Sequence, residues 1–173
     1  MKMNRVALVT GSGRGIGRAT AIALAIDGYN VIVNYKSDKK SAEEVVHIIE
    51  GLGQKSFAIQ ADLSKSDQIE KMFTELGKKI SGIDVLVNNA GFDFAKMFED
   101  YSLEEMRYVM DVVLFAKIAT TKLALPYLLK SSNRPCIVNI ASRMGREKTI
   151  PTISAYGPAS AGVIKFTQCC ALE

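Results

Sequence analysis

Thr10, Gly11, Ser12, Gly13, Arg14, Gly15, Ile16 and Gly17 place four glycines within eight consecutive positions near the start of the chain. Glycine lets the main chain turn sharply and lets a phosphate approach backbone N–H groups. If a helix begins there, its N-terminus adds partial positive charge. That is chemistry for holding the pyrophosphate of a dinucleotide. A plain turn uses the same residues, so the context decides: a phosphate-holding turn follows a strand and opens a helix. Further on, Asn34, Tyr35, Lys36 and Ser37 follow a β-branched run. An acidic residue there would bind an adenosine ribose and repel a 2'-phosphate. Instead Lys36, Ser37 and Arg14 offer two cations and a hydroxyl, which suits NADP(H) better than NAD(H). Taken singly, Lys36 and Arg14 also read as solvated surface charges.

Other chemistries are disfavoured by scarcity. His47 is the only histidine, and the three cysteines, Cys136, Cys169 and Cys170, lack metal-ligand spacing, so a zinc site or a histidine triad has little to build on. The adjoining Cys169 and Cys170 read as buried small apolar residues in a reducing compartment. Lys plus Arg number 22 against 18 acidic residues, a net charge of +4 spread along the chain. That excess is too small and dispersed for nucleic acid and fits a pocket for an anionic ligand. No apolar run approaches the roughly 18 residues of a membrane span, and the run after Lys2 and Arg5 is broken by Thr10 and Gly11, so neither a span nor a signal peptide is expected. The expected location is cytoplasmic, with no membrane partner.

The elements that must position these residues are legible as alternation. Val6 to Val9 reads as a buried strand, followed by the glycine turn and a helix over 16–27. Strands at 31–33, 57–60, 83–87 and 136–140 alternate with helices over 41–52, 66–80, 102–129 and 155–171. Ser102 and Glu105 have the spacing of a capping box, and Pro126 is expected to kink or loosen the last turns of its helix. Parallel neighbours need crossovers, and strands apolar on both sides need cover on both faces. The expectation is one α/β domain over 1–173 with a doubly wound parallel sheet in three α/β/α layers. With 48% hydrophobic residues in 173, a sizeable core is available.

In that frame the ordered motifs Thr10-Gly-x-x-x-Gly-Ile-Gly17, Asp62-Leu63, Asn88-Asn89-Ala90-Gly91, Ser142 and Tyr156 resemble the short-chain dehydrogenase/reductase family over the whole sequence. The wording, notably Asn34-Tyr35-Lys36-Ser37, is closest to 3-oxoacyl-acyl-carrier-protein reductases. The resemblance implies a Rossmann-like fold and an NAD(P)-dependent reduction of a carbonyl on an acyl carrier or small molecule. It places Asp62 and Leu63 near the adenine and Asn89, Ala90 and Gly91 along the adenosine side. Asn88 and Asn89 also read as turn formers. Tyr156 is implied as the proton donor to the carbonyl oxygen and Ser142 as its hydrogen-bond partner.

Two further family positions differ. Where the family has a lysine one turn after the tyrosine, binding the nicotinamide ribose and lowering the tyrosine pKa, this chain has Ser160. Where an asparagine holds a relay water, it has Val113. A deep loss of turnover is expected. Lys165 falls on the opposite helix face from Tyr156. Lys117, one turn after Val113 on the same face and leaning back towards the N-terminus, could bring its ammonium to the site, and Arg143 and Arg146 could put charge nearby, but each reads first as an ordinary surface or ion-pair residue. Relatives also continue past the point where this chain ends, so the sheet is expected to be truncated, with an exposed edge at the fifth strand and the substrate half absent. The two long helices imply a homo-oligomer. Three readings follow: an impaired NADP-dependent reductase, an inactive dinucleotide-binding or scaffolding relative, and a fragment of a complete enzyme.

Overall fold

Apolar runs without alternation become strands buried on both faces. In the computed structural model, which describes residues 5–173, the strands are β1 (Val6–Val9), β2 (Asn30–Tyr35), β3 (Ser56–Gln60), β4 (Val85–Asn88) and β5 (Cys136–Asn139). Every residue of β1 and β4 is buried. The strands are parallel in the order β3-β2-β1-β4-β5, with Ala7 of β1 registered between Val31 and Val85. The winding reverses between β1 and β4, and such a switch point opens a crevice at the carboxyl ends of the strands.

Side chains sort by strand parity into two cores. Ala7, Val9, Val31, Val33, Val85 and Val87 face α1 (Gly15–Ile26) and α2 (Lys39–Gly51). Val6, Leu8, Ile32 and Leu86 face α3 (Ser66–Gly77) and α5 (Ala116–Leu128). On α1 the buried positions are Gly17, Ala21 and Ala25, one turn apart. Small side chains at that spacing let the helix lie close to the sheet.

The capping box opens α4 (Leu103–Met110): Ser102 Oγ accepts from the Glu105 amide, and the Glu105 carboxylate accepts from the Ser102 amide. The long helix is not continuous. Between α4 and α5 lies a π-helical turn, Asp111–Phe115, whereas Pro126 sits inside α5, which runs on to Leu128. A proline near a helix end removes few hydrogen bonds, while one extra residue in a turn widens it wherever packing holds it. The last helix, α6 (Tyr156–Cys170), packs against α4 and the π turn through Val109, Val113, Ala155, Ala159 and Val163.

Cys169 and Cys170 are exposed, as is Cys136, which corrects the expectation that the adjoining pair is buried. The last buried residue of α6 is Val163, so the final turn with its two cysteines projects past the packed part of the helix. Among the described residues, no helix is long and apolar enough to cross a membrane, and no cluster of His, Cys, Asp or Glu could hold a metal ion.

Candidate functional site

The glycine turn and the Asn88–Gly91 segment meet at the switch point and are tied together by side chains. Thr10 Oγ1 accepts from the amides of Asn89 and Ala90 at 2.9 and 3.1 Å. Asn89 Nδ2 donates to the carbonyls of Thr10 and Gly11 at 2.9 and 3.2 Å. Asn34 is turned inward: its Oδ1 accepts from the Gly11 amide at 3.1 Å and its Nδ2 donates to the Ile59 carbonyl at 3.3 Å. Asn89 and Asn34 thus fix the turn.

Gly11 and Gly15 have positive φ, +62° and +56°, where other residues are strained. A Cβ on Gly15 would meet nothing within 4 Å, so the turn faces open space there. Gly17 is the opposite case, since its Cβ would lie 2.5 Å from Asn89 Nδ2 and the Gly11 oxygen and 2.9 Å from Ser12 Cα. Two of those three atoms are backbone. Gly17→Val is therefore expected to cost about 3 kcal/mol, the upper end of overpacking penalties, in a urea titration. Wild-type stability in this variant would contradict the close approach. The first turn of α1 carries no side-chain cap and no acidic residue, leaving its N–H groups to solvent or an anion.

A cleft of about 800 Å³ runs from this turn across the ends of β2, β3 and β4 to Ser142 and Tyr156. It is lined by every expected site residue except Ser12 and Gly17. Those two are buried, and the Ser12 hydroxyl donates to the Val9 carbonyl at 2.7 Å. Lys36 Nζ stands 2.9 Å from Asp62 Oδ2 and donates to the Tyr108 hydroxyl at 2.8 Å. These partners raise the Lys36 pKa, Asp62 first and Tyr108 second. Burial pushes the Asp62 carboxyl up, but hydrogen bonds from Lys36 and Ser64 outweigh it and hold the group below its usual range. Asp38, an acidic lining residue that sequence reasoning missed, caps α2 by accepting from the Ser41 amide at 3.0 Å and hydroxyl at 2.6 Å. Ser followed by a helical run three residues after Asp was its only signal.

At the other end, Ser142 Oγ accepts from the Met144 amide at 3.2 Å, and Tyr156 opens α6 packed against the cluster of Val109, Val113, Ala155, Ala159 and Val163. The Tyr156 hydroxyl has no hydrogen-bond partner among the described residues. Ser160 is fully buried, and its Oγ has no partner among the described residues either. The turn after Ser142 is pressed against it, because a Cβ on Gly145 would come within 2.9 Å of Ser160 Cβ.

Lys117 overturns its expected surface role. It is 3% exposed and lines the cleft, and its Nζ donates to the Ala90 carbonyl at 2.6 Å. No carboxylate among the described residues pairs with it, and burial alone pushes its pKa from 10.5 to about 8. Its position on the stripe Val113, Ala116, Thr120, Ala124 was the available signal. Arg143 and Arg146 are exposed as expected.

A switch-point cleft of this kind belongs to many proteins, and comparison narrows the choice. A family model described as short chain dehydrogenase matches residues 5–173. The chain is 39% identical over its full length to a 3-oxoacyl-[acyl-carrier-protein] reductase FabG of Staphylococcus aureus, covering 70% of that protein. It is 34% identical to 3beta-hydroxysteroid dehydrogenase 1 of Eggerthella lenta, over 98% of this chain and 64% of that one. A crystal structure of a short chain dehydrogenase from Burkholderia cenocepacia in complex with NADP superposes with a TM-score of 0.91 at 33% identity, over 96% of this chain and 67% of that one. With ordered motifs, sheet order and whole-chain similarity in agreement, the chain belongs to the short-chain dehydrogenase/reductase family.

Proposed function

We propose that the chain is an NADP(H)-binding carbonyl reductase domain, with acyl-carrier 3-oxo groups or related small carbonyls as substrates, in which dinucleotide binding is retained and proton transfer is slow. The observation that carries this reading is one cleft joining an open glycine turn, a mouth that holds Arg14, Lys36 and Ser37, and Ser142 with Tyr156. The residues fit the group: Gly13, Gly15 and the uncapped N–H groups of α1 would take the pyrophosphate. Lys36, Ser37 and Arg14 would take the 2'-phosphate, with Asp62 and Tyr108 holding the Lys36 ammonium at the mouth. The Asp38 carboxylate is engaged by Ser41. Bound there, the nicotinamide would supply the hydride. Ser142 would donate a hydrogen bond to the carbonyl oxygen, and Tyr156 would deliver the proton to it.

Val113 and Ser160 favour a second reading, a dinucleotide-binding relative without turnover. Both readings share the mouth of the cleft, and fluorescence titrations with NADPH and NADH test it. NADPH is expected to bind at least about tenfold more tightly, the worth of one good charge-assisted contact, with Lys36→Glu reversing the order. Equal affinities in wild type and variant would overturn the preference. Self-association is proposed through α4, α5 and α6, where Met110 and Phe115 present apolar surface. Sedimentation as a monomer alone at high concentration would contradict it.

A further inference from the structure

A lysine ammonium carries three N–H donors. Lys117 spends one on the Ala90 carbonyl, and no second acceptor among the described residues reaches it. Burying a cation without a carboxylate is unfavourable, and its neighbours on the same stripe, Val113, Ala116, Thr120 and Ala124, show what an ordinary packed position there holds. The lysine nevertheless sits at the wall of the cleft beside Ala90 and Val113, with donors left for whatever fills that space. Across the cleft, α6 lines the space with Tyr156 and no cation: one turn on it buries Ser160, whose hydroxyl is unpartnered.

We infer that Lys117 is a ligand-binding residue whose ammonium takes a sugar hydroxyl or phosphate oxygen of the dinucleotide, supplying from α5 the positive charge that α6 lacks. The inference rests on the dinucleotide reading above. It also separates two tasks, since Lys117 holds the ligand while Tyr156 remains without a charged partner among the described residues.

The other titratable groups lining the cleft with Lys117 are Arg14, Tyr35, Lys36, Asp38, Asp62, Asp93, Tyr108 and Tyr156. None forms an ion pair or hydrogen bond with Lys117. Its depressed pKa comes from burial, so a ligand oxygen that satisfies the ammonium raises the pKa again, and binding takes up a proton where the free amine is neutral.

The test is calorimetric titration of the full chain with NADPH at pH 7 and pH 9, in buffers of different ionisation enthalpy. At pH 9 the wild type is expected to take up at least about half a proton per NADPH bound and to bind more weakly than at pH 7. Lys117→Met, checked for native circular dichroism, is expected to bind at least about tenfold more weakly at pH 7, as when a charged donor is removed, and to take up no proton. Lys122→Met, exposed on the same helix, keeps wild-type affinity. NADPH binding with no proton uptake at pH 9, or a Lys117→Met affinity within twofold of wild type, overturns the assignment. A wild type that binds no NADPH at pH 7 overturns the dinucleotide reading beneath it, and the assignment with it.

Discussion

The double variant Ser160→Lys, Val113→Asn is expected to turn over an acetoacetyl thioester roughly 10² to 10⁴ times faster than the wild type, the range a well-positioned acid contributes. A tyrosine donates best when its pKa, ordinarily about 10, is drawn towards ambient pH, and a neighbouring cation is the usual means. Behind Tyr156 the chain places Val113, Ala155, Ala159 and Val163, and one turn on it places the unpartnered Ser160 hydroxyl. None of these is charged, and only Ser160 has a side-chain group able to hydrogen-bond, which stands unpartnered. A lysine at 160 supplies the charge, and an asparagine on the π turn supplies a polar group where Val113 now packs. The measurement is kcat at saturating NADPH. An unchanged kcat would mean that proton delivery is not the limiting defect.

Lys117→Met is expected to stabilise the protein at pH 7 even as it weakens dinucleotide binding. A pKa lowered from 10.5 to about 8, at about 1.4 kcal/mol per unit, represents roughly 3 kcal/mol against the charged native state. The Ala90 carbonyl loses its donor in the variant, which returns about 1 kcal/mol. A net gain of about 2 kcal/mol raises the melting temperature by roughly 4–8 °C in a domain of this size. The sign follows from linkage. Between pH 8 and 10.5 the unfolded lysine holds a proton that the native one has released, so wild-type stability rises with pH across that window, and below pH 8 the full penalty stands. Methionine removes the slope as well as the penalty. A variant less stable than wild type at pH 7, or one that keeps the rise above pH 8, would contradict the unpaired buried cation.

What the sequence disclosed depended on whether a local signal sufficed. The β-branched runs, the glycine turn and the Ser102–Glu105 box each carry their meaning within a few residues, and all are found where expected. The π turn at Asp111–Phe115 has no such signature, because packing of the helix on both sides holds the extra residue. Asn34 is expected at the ligand for its place at the end of β2, and it does border the cleft. Its amide, though, bonds to the Gly11 N–H and the Ile59 carbonyl, partners distant in sequence. Lys117 reads first as a surface charge because a long charged residue usually snorkels to solvent. Its place on an apolar stripe points the other way, and only the Ala90 carbonyl beside it shows where the ammonium ends.

The central claim, retained binding with slow chemistry, is tested most directly by titrating the wild type with NADPH while following nicotinamide fluorescence, then adding acetoacetyl thioester to the saturated sample. The account predicts saturable enhancement on titration and, after substrate, oxidation that is slow and that Ser160→Lys, Val113→Asn accelerates by at least about a hundredfold. No saturable NADPH binding, or oxidation by the wild type as fast as by the double variant, would contradict it.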